Sequence, residues 1–452
     1  MNIIIAGSGK VGTVLAMNLS AEDHDVTVID PSPAKLEFVS SSLDVGCKVG
    51  NAASYDILKS VDAQKADLLI AMTGEDELNL LICLMARKIG VKRTIARVRN
   101  PIYYKTANII KNELGLSMAI NPEAEAANEM FRPLIFRSAD QVETFSKSRT
   151  EILTFSVKEG SVLCDIKIKD LEKAARAKIL VCAIKRQGEV FIPNGYSDIK
   201  AGDVLSFLAT RDEAQKFFKR TGYDTGRVKN LTIIGGGKLG FYLGKNAIEH
   251  GIPVRIIDKD PAVCSNLRTL LPRASIICAD ATNTAVIDEE NLLSSSAVAV
   301  MTSIDEINIL IAMYYKKNAP KCKVITKIKK SDFEDMVFNM DIGSVFNPKY
   351  ITADRILRYV RALDESGEDE VISVTHVINN KVEVLEFAVK PNTPRLGRPI
   401  KDLDIRKNFL LAAINRKGET IYPGGTDCLE AGDNVIVVTT EKGVGSFSDI
   451  FE

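Results

Sequence analysis

The 452-residue chain lacks the features of membrane-spanning and polyanion-binding proteins. It contains 59 Lys and Arg residues and 59 Asp and Glu residues, so its formal net charge is zero. A balanced charge argues against a surface built for nucleic acid. No apolar run approaches the roughly 18–20 residues that a membrane span needs. The N-terminus leads directly into a predicted strand, so we expect no signal peptide, and any membrane role requires a partner protein.

Side chains that carry out chemistry are also scarce. The histidines are His24, His250 and His376. His24 and His250 each precede an apolar run by a few residues, which favours a role in a turn. We find no Ser/His/Asp order, no metal-ligand spacing and no GxxxxGK[ST] phosphate loop. The sequence therefore offers no catalytic apparatus.

The eight cysteines are scattered and form no CxxC pair. Three of them, Cys83, Cys182 and Cys278, lie in apolar stretches. Buried, reduced thiols are therefore expected, which suits a reducing compartment.

The start of the chain carries a nucleotide-binding pattern. The apolar run Ile3–Ala6 enters a glycine-rich loop that opens a helical pattern, and a second apolar run ends at Asp30. This order is the βαβ fingerprint of dinucleotide-binding folds: one glycine makes the turn, one admits phosphate and one lets the helix pack on the strand. The helix N-terminus offers N–H groups to phosphate, and Asp30 would bind a ribose and disfavour a 2′-phosphate. The loop comprises Gly7, Ser8, Gly9, Lys10, Val11 and Gly12.

The same pattern occurs a second time. Gly237 and Asp258 lie 228 positions after Gly9 and Asp30. A fixed offset for both the glycines and the acid predicts a duplicated domain. The lysine of each loop either neighbours phosphate or points into solvent. The second loop comprises Gly235, Gly236, Gly237, Lys238, Leu239 and Gly240.

Apolar runs alternate with helical patterns through residues 1–135, which predicts a doubly wound parallel sheet of about six strands. Residues 122–149 are more polar and are predicted to form a helical connector. Short strands and turns over 150–219 predict a small α+β domain. The second half repeats this order, so the fold class is α/β with duplicated Rossmann-like sheets, each followed by a small α+β C-lobe. The predicted domains are N-lobe 1 at 1–137, C-lobe 1 at 138–222, N-lobe 2 at 227–363 and C-lobe 2 at 364–452.

Several polar residues follow predicted strands, whose carboxyl ends border the ligand crevice in such folds. Asn51 and Asp280 are candidates for contact with the adenine edge. Thr73 and Asp76 fit a capping box at the start of the next helix, and the pattern returns at Thr302.

Two basic residues follow the fifth predicted strand in each half. Arg97 and Arg99 in the first half correspond to Lys327 and Lys329 in the second. Arginine grips phosphate with a planar fork, whereas lysine offers a mobile point charge. If these cations face phosphate, the first site is the better polyphosphate site; the alternative is a solvated strand edge.

Together, the duplicated glycine loops with their acids, the Gly-Asn-Ala and Ala-Asp-Ala turns at Asn51 and Asp280, the Ala-Arg-Val-Arg segment and the small domains resemble the TrkA family. These are the cytosolic subunits of bacterial Trk potassium uptake systems, and their modules are called regulator-of-potassium-conductance domains. The resemblance covers essentially the whole chain. Its specific part is the two-fold arrangement of N and C lobes, since single modules occur in other proteins.

The resemblance implies a non-enzymatic homotetramer beneath an integral membrane potassium-translocating subunit, on the inner face of the cell membrane. It implies that NAD(H) and ATP or ADP bind and that their occupancy gates transport. The second site departs from the family at Lys327 and Lys329, so a smaller adenine nucleotide such as AMP is expected there. The first site carried over by position is Gly7, Ser8, Gly9, Lys10, Val11, Asp30, Asn51, Thr73, Gly74, Arg97 and Arg99.

Two other functions are open. An NAD-dependent oxidoreductase would need a proton donor near the nicotinamide, and the sequence offers no candidate histidine. A nucleic-acid-linked redox repressor is opposed by the zero net charge and by the lack of a helix-turn-helix pattern. The residues favour a regulatory nucleotide-binding module.

Overall fold

The computed structural model describes residues 1–144, 150–223, 226–329, 336–337, 340, 342–361, 363, 371–378, 381–441, 444 and 446–452, except the side chains of Thr144 and His376. The chain divides into two compact units. Unit 1 comprises Met1–Ala126 and Asn347–Val360, and unit 2 comprises Ala127–Phe346 and Arg361–Glu452.

Unit 1 contains a six-stranded parallel sheet in the order β3-β2-β1-β4-β5-β6. Its central strand β1 is buried on both faces, as expected for an uninterrupted apolar run in a parallel sheet. The strands are β1 Asn2–Ala6, β2 Asp25–Asp30, β3 Gly46–Val49, β4 Leu68–Ala71, β5 Arg93–Arg97 and β6 Met118–Ile120. The helices are α1 Lys10–Ala21, α2 Pro33–Ser42, α3 Tyr55–Ser60, α4 Asp76–Ile89 and α5 Pro101–Ile109. Helix α6, Pro122–Ile135, begins in unit 1 and belongs to unit 2 from Ala127 onward. The predicted doubly wound fold is confirmed for this half.

A helix from the second half of the sequence completes the core of unit 1. The last long helix, α13, spans Pro348–Arg361. Its buried residues Ala353, Ile356, Leu357 and Val360 recur at helical spacing and belong to the same core cluster as β1. The first sheet is therefore covered in part by a helix of the second repeat, at the position that α6 holds in the first.

Unit 2 contains a second six-stranded parallel sheet in the matching order β14-β13-β12-β15-β16-β17. Its strands are β12 Leu231–Ile234, β13 Val254–Asp258, β14 Ser275–Cys278, β15 Ala297–Val300, β16 Lys323–Lys327 and β17 Ser344–Phe346. Its helices are α9 Lys238–Glu249, α10 Pro261–Leu270, α11 Thr284–Glu289 and α12 Asp305–Asn318. The duplication predicted from the glycine loops is confirmed.

Unit 2 also holds two antiparallel five-stranded sheets, in the orders β10-β9-β11-β8-β7 and β18-β19-β22-β20-β21. The first contains β7 Gln141–Thr144, β8 Thr150–Ser156, β9 Leu180–Arg186, β10 Glu189–Phe191 and β11 Val204–Thr210, with helices α7 Ile168–Ala175 and α8 Arg211–Arg220. The second contains β18 Val371–Val377, β19 Val382–Ala388, β20 Phe409–Arg416, β21 Glu419–Ile421 and β22 Asn434–Thr439. Their facing apolar residues, such as Cys182 and Val384, share one core cluster.

Two predictions about these regions are wrong. The helical connector at 122–149 is only partly helical, because Gln141–Thr144 pairs with β8 and Val142 enters the core. Pairing and burial override the polar local pattern there, and residues 145–149 lie outside the described chain. Cys83 and Cys182 are buried as predicted, whereas Cys278 is exposed because it ends an edge strand. Among the described helices, none is long and apolar enough to cross a bilayer.

Candidate nucleotide sites

The first glycine loop joins β1 to α1, and its glycines have different neighbours. Gly7 has φ +108°, and a Cβ there would lie 2.9 Å from the Met72 carbonyl group. A Cβ on Gly12 would lie 2.0 Å from the carbonyl oxygen of Gly7. Nothing lies within 4 Å of the position that a Gly9 Cβ would take. The predicted turn and packing glycines are confirmed, and Gly9 leaves the open space that a phosphate would need.

The first turn of α1 is free to receive an anion. Gly9 is the N-cap residue of this 12-residue helix, and no side chain caps it. The N–H groups of the first turn have no partner within a helix, and the macrodipole makes that end partly positive. Lys10 is exposed beside it. This geometry is the one in which helix N-termini hold phosphate.

Asp30 lies at the carboxyl end of β2 and is only 5% exposed. Its Oδ2 accepts a hydrogen bond from the Ser8 amide at 2.8 Å, and its Oδ1 accepts one from the Ser32 amide at 2.9 Å. Burial opposes ionisation, but the amides of Ser32 and Ser8 outweigh it and lower the pKa of Asp30. Asp30 is therefore an ionised carboxylate that already fixes the glycine loop. Each oxygen keeps a lone pair with which to bind a ribose hydroxyl.

The predicted capping box at Thr73 and Asp76 is wrong. Helix α4 begins at Asp76 without a side-chain cap. Thr73 Oγ1 instead donates to Asn79 Oδ1 at 2.8 Å, and Asp76 Oδ2 accepts from the amides of Arg99 and Asn100 at 2.9 and 2.7 Å. The spacing matched a capping box, but Thr73 bonds the Asn79 side chain and Asp76 bonds amides that follow β5. The second half repeats these contacts with Thr302, Asp305, Asn308 and Lys329.

Asn79 is a site residue that the sequence reasoning did not single out. Its side chain is fully buried. The Oδ1 atom accepts from the Thr73 amide at 2.8 Å, and Nδ2 donates to the Arg97 carbonyl oxygen at 3.0 Å. Asn79 thus fixes the ends of β4 and β5 relative to each other. The available signal was its repetition as Asn308, 229 positions later.

Arg97 and Arg99, which were predicted to act as a pair, have different partners. The Arg97 guanidinium donates to the Thr73 carbonyl oxygen through Nη2. Its buried Nε has no hydrogen-bond partner in the described part of the chain. Burial and the Arg99 charge lower the pKa of Arg97. Arg99 Nε donates to Glu123 Oε1 at 2.7 Å, and this bond raises the pKa of Arg99. Arg97 lies against the loop after β4, whereas Arg99 is already engaged by a carboxylate.

The second glycine loop repeats the geometry of the first. Gly235 has φ +107°, and a Cβ on Gly240 would lie 2.3 Å from the Gly235 oxygen. The position of a Gly237 Cβ is open to at least 4 Å. Asp258 Oδ2 accepts from the Gly236 amide at 2.7 Å. Both predicted sites therefore share one backbone design.

Asn51 and Asp280 make equivalent turns after the third strand of each sheet. Asn51 Oδ1 accepts from the Ala53 amide at 3.0 Å, and Asp280 Oδ1 accepts from the Thr282 amide at 2.9 Å. The Thr282 amide and hydroxyl lower the pKa of Asp280. Both side chains are exposed, and their contact with adenine stays a prediction.

Lys327 distinguishes the second site from the first. Its buried Nζ donates to the carbonyl oxygens of Met301, at 2.8 Å, and Thr302. Burial, followed by the charge of Lys329, lowers the pKa of Lys327 to about 8. Among the described residues, no carboxylate lies within ion-pair distance of Lys327. An unpaired cation beside the carboxyl end of β15 favours an arriving anion. Within the described residues, no group of three or more His, Cys, Asp or Glu side chains could hold a metal ion.

Binding of ADP at the second loop is expected to take up protons at pH 8, because a nearby phosphate favours the charged form of Lys327. Calorimetric titrations in two buffers of different ionisation enthalpy measure this uptake. At pH 6.5 the lysine is already charged and uptake should vanish. Lys327→Arg should abolish this uptake at pH 8; equal uptake in that variant would contradict the assignment.

Without ligand, the free energy of unfolding should rise with pH from about 8 toward 10.5. In that range Lys327 is deprotonated in the folded chain but still protonated in the unfolded chain.

Comparisons with known proteins agree with this architecture. The TrkA-N domain model matches residues 3–122 and 231–348, and the TrkA-C domain model matches residues 152–222 and 384–452. The Trk system potassium uptake protein TrkA homolog of Archaeoglobus fulgidus is 31% identical, with 100% of both chains covered. TrkA of Haemophilus influenzae is 26% identical over 98% of this chain and 96% of its own.

Solved structures show the same fold at low identity. The GsuK channel bound to NAD superposes with a TM-score of 0.61 at 16% identity, over 98% of this chain and 77% of its own. GsuK bound to ADP gives a TM-score of 0.52 at 13% identity, over 80% and 69%. From the four domain matches and the full-length relative, the chain belongs to the TrkA family, with TrkA-N and TrkA-C domains each present twice.

Proposed function

We propose that this chain is the nucleotide-sensing regulatory subunit of a potassium uptake system. It binds NAD(H) and ATP or ADP at its glycine loops, with AMP a candidate at the second, and their occupancy gates an integral membrane potassium-translocating subunit. The observation that carries the proposal is the open position at Gly9 and Gly237, each at an uncapped helix N-terminus beside an aspartate. The named relatives belong to Trk potassium uptake systems. Proteins of the same fold have been solved with NAD and with ADP.

The histidine environments favour a sensor over the alternative, an NAD-dependent oxidoreductase. His24 Nδ1 lies 3.4 Å from the N-terminal amino group. His250 Nδ1 lies 2.8 Å from the Asn246 carbonyl oxygen at the end of α9. Each lies at the far end of the helix whose start forms a glycine loop, about 18 Å from it for 12 residues. Neither is positioned to exchange a proton with a bound nicotinamide.

Exposed apolar side chains support self-association, and we propose that the assembly is a homotetramer. On α5, Ile102 and Ile109 are each 72% exposed, and on α12 Leu310 is 66% exposed. Ile102 and Ile109 are seven residues apart and so share one face of α5, which makes that face a candidate contact between subunits. Ile109→Asp should therefore reduce the mass measured by light scattering. Val162→Asp, which changes an apolar residue 63% exposed in the first C-lobe, is the matched control. An unchanged mass for Ile109→Asp would contradict this use of α5.

Gating requires that occupancy favour one shape of the assembly over another. The groups that would touch a nucleotide are tied to the strand ends, since Asp30 fixes the glycine loop and Asn79 joins the ends of β4 and β5. A ligand that pulls on these groups acts on the sheet edge itself. A coupling free energy of about 1–3 kcal/mol changes an open-to-closed ratio roughly 5- to 150-fold.

The test is to measure binding and consumption together on the full chain. Titration calorimetry with NADH, ATP, ADP and AMP should show saturable binding, while nicotinamide absorbance stays constant during long incubation. Potassium flux into liposomes carrying the membrane subunit should then change with nucleotide only when this chain is present. Steady oxidation of NADH with a small substrate would favour the oxidoreductase. If none of the four nucleotides binds, the proposal is overturned.

Arg97→Ala is expected to weaken ATP binding at the first site about tenfold and AMP binding less than threefold. The Arg97 guanidinium has an unused donor, and we propose that a small shift of the side chain lets it form a charge-assisted bond to a terminal phosphate. Arg99→Ala should act in the same direction with a smaller effect, since Glu123 already engages its guanidinium. Titration calorimetry with both nucleotides measures the ratio. Equal losses for ATP and AMP would show that Arg97 does not reach phosphate.

A further inference from the structure

Unit 2 contains a cavity of about 840 Å³ that is separate from both glycine loops. It is bounded by α6, α8, residues 227–228 and the loop that follows α9. That loop is at the opposite end of α9 from the second glycine loop, about 18 Å away along a 12-residue helix. Its volume lies in the range of small-molecule sites, roughly 300–1,000 Å³.

The floor of this cavity is apolar. Phe131, Leu134 and Val228 line it and are buried. The Phe131 ring packs against the His250 ring with a centroid distance of 4.5 Å. Such a floor accommodates an apolar or aromatic body and keeps water from it.

The rim of the cavity is cationic. Arg211, Lys216, Lys219 and Arg227 line it, with Asp212 as the one carboxylate among the lining residues. Lys216 is paired with Glu213 at 2.6 Å. In the described part of the chain, neither Lys219 nor Arg227 has a carboxylate within ion-pair distance. Cations that converge on a concave, low-dielectric surface raise the local potential and favour an anion.

This basic surface belongs to one repeat only. Helix α8 follows the last strand of the first C-lobe and turns Phe217 and Phe218 into its core. After the corresponding strand β22, the described residues contain only the 3-10 turn Phe447–Ile450. Three of the four cationic residues, Arg211, Lys216 and Lys219, therefore lie on a helix that has no counterpart among the described residues of the second C-lobe. A surface that merely solvates α8 would not explain why Arg227, from a separate segment, lines the same cavity.

We propose that this cavity binds a small organic phosphate, a molecule with a dianionic phosphate group on an apolar or aromatic body. The body would rest on Phe131 and Val228, and the phosphate would lie between Lys219 and Arg227. Because α8 belongs to the first C-lobe and α9 to the second parallel sheet, the ligand would link these two parts of unit 2. The proposal does not depend on nucleotide binding at the glycine loops.

The test uses 1-naphthyl phosphate as the probe and 1-naphthol as the matched uncharged compound, with ADP present in excess. Titration calorimetry on the full chain should show one saturable site for the phosphate and at least tenfold weaker binding of the naphthol. Lys219→Gln/Arg227→Gln should weaken naphthyl phosphate at least tenfold. Lys245→Gln, an exposed α9 residue paired with Glu249 at 3.9 Å, is the control and should bind within twofold of the unmodified chain.

Unaltered binding in the double variant would overturn the proposal, as would absence of saturable binding or equal affinity for 1-naphthol. Both substituted residues are exposed, so matching thermal unfolding curves should confirm that the variant folds. Sedimentation with phosphatidylglycerol vesicles separates a lipid headgroup from a free phosphate. If vesicle binding depends on Lys219 and Arg227 while 1-naphthyl phosphate does not bind, the cavity is not a small-molecule site.

Discussion

Replacing Gly12 with alanine is expected to unfold the first parallel sheet, while replacing Gly9 with alanine is expected to spare the fold and block the nucleotide. A methyl group on Gly12 would lie 2.0 Å from the Gly7 carbonyl oxygen, so α1 would have to move away from β1. Overpacking costs about 1–3 kcal/mol and occasionally more, and we expect the upper end here because the contact is with backbone. Gly9 has φ −71° and nothing within 4 Å of its Cβ position, so alanine fits there without strain.

The two substitutions should separate stability from binding. Chemical unfolding should show a change of less than about 0.5 kcal/mol for Gly9→Ala. Titration calorimetry should show at least a tenfold loss of NADH or ATP affinity at the first site, because the methyl group takes the space of a phosphate. Gly237→Ala is the internal control, since it changes the equivalent open position of the second loop alone. Normal affinity in Gly9→Ala would mean that phosphate does not approach this loop.

Asp30→Asn is expected to reduce both the stability of the first sheet and its affinity for NADH. An asparagine can accept from only one of the two amides that Asp30 now holds, and its NH₂ group would face the other amide. Leaving a buried donor unpaired costs about 1–3 kcal/mol. The ribose would lose a charged acceptor, so NADH affinity should fall at least tenfold, and discrimination against NADPH should narrow.

The pH dependence of Asp30→Asn identifies the cause of its lost stability. The pKa of Asp30 is lowered in the folded chain, so the carboxylate contributes its stabilisation above the ordinary value of 3.8 and loses it as the pH falls further. The difference in unfolding free energy between the original chain and Asp30→Asn should therefore shrink in acid. Asp258→Asn should show a similar stability loss while affecting ligand only at the second loop. Full NADH affinity in Asp30→Asn would exclude the ribose contact.

The parallel sheets and glycine loops were predictable because their signals are local. A strand such as β1 is buried on both faces and reads as an unbroken apolar run, and a turn that excludes Cβ atoms requires glycine. Because the pattern repeats at a fixed offset, each prediction for the first half also applied to the second half. Long-range partners were not predictable. Asp76 matches a capping box by spacing, yet its carboxylate holds amides 23 and 24 residues away.

The partners of basic side chains were also not predictable from the sequence. Arg97 and Arg99 are two residues apart on one segment and were treated alike. The fold brings Glu123 to Arg99 and the Thr73 carbonyl to Arg97, so the two guanidinium groups have different freedom. Similarly, the sequence placed Val142 in a polar connector, whereas in the structure its strand β7 pairs with β8. In both cases the deciding contact comes from a segment that no local pattern specifies.

The placement of α13 restricts how this gene product can be divided. A fragment ending near residue 222 would lack Ala353, Ile356, Leu357 and Val360, and would expose the apolar face of its sheet to solvent. Such a fragment should aggregate, or dimerise so that this face is covered. The two tandem copies are therefore not independent folding units, because a helix of the second copy completes the core of the first.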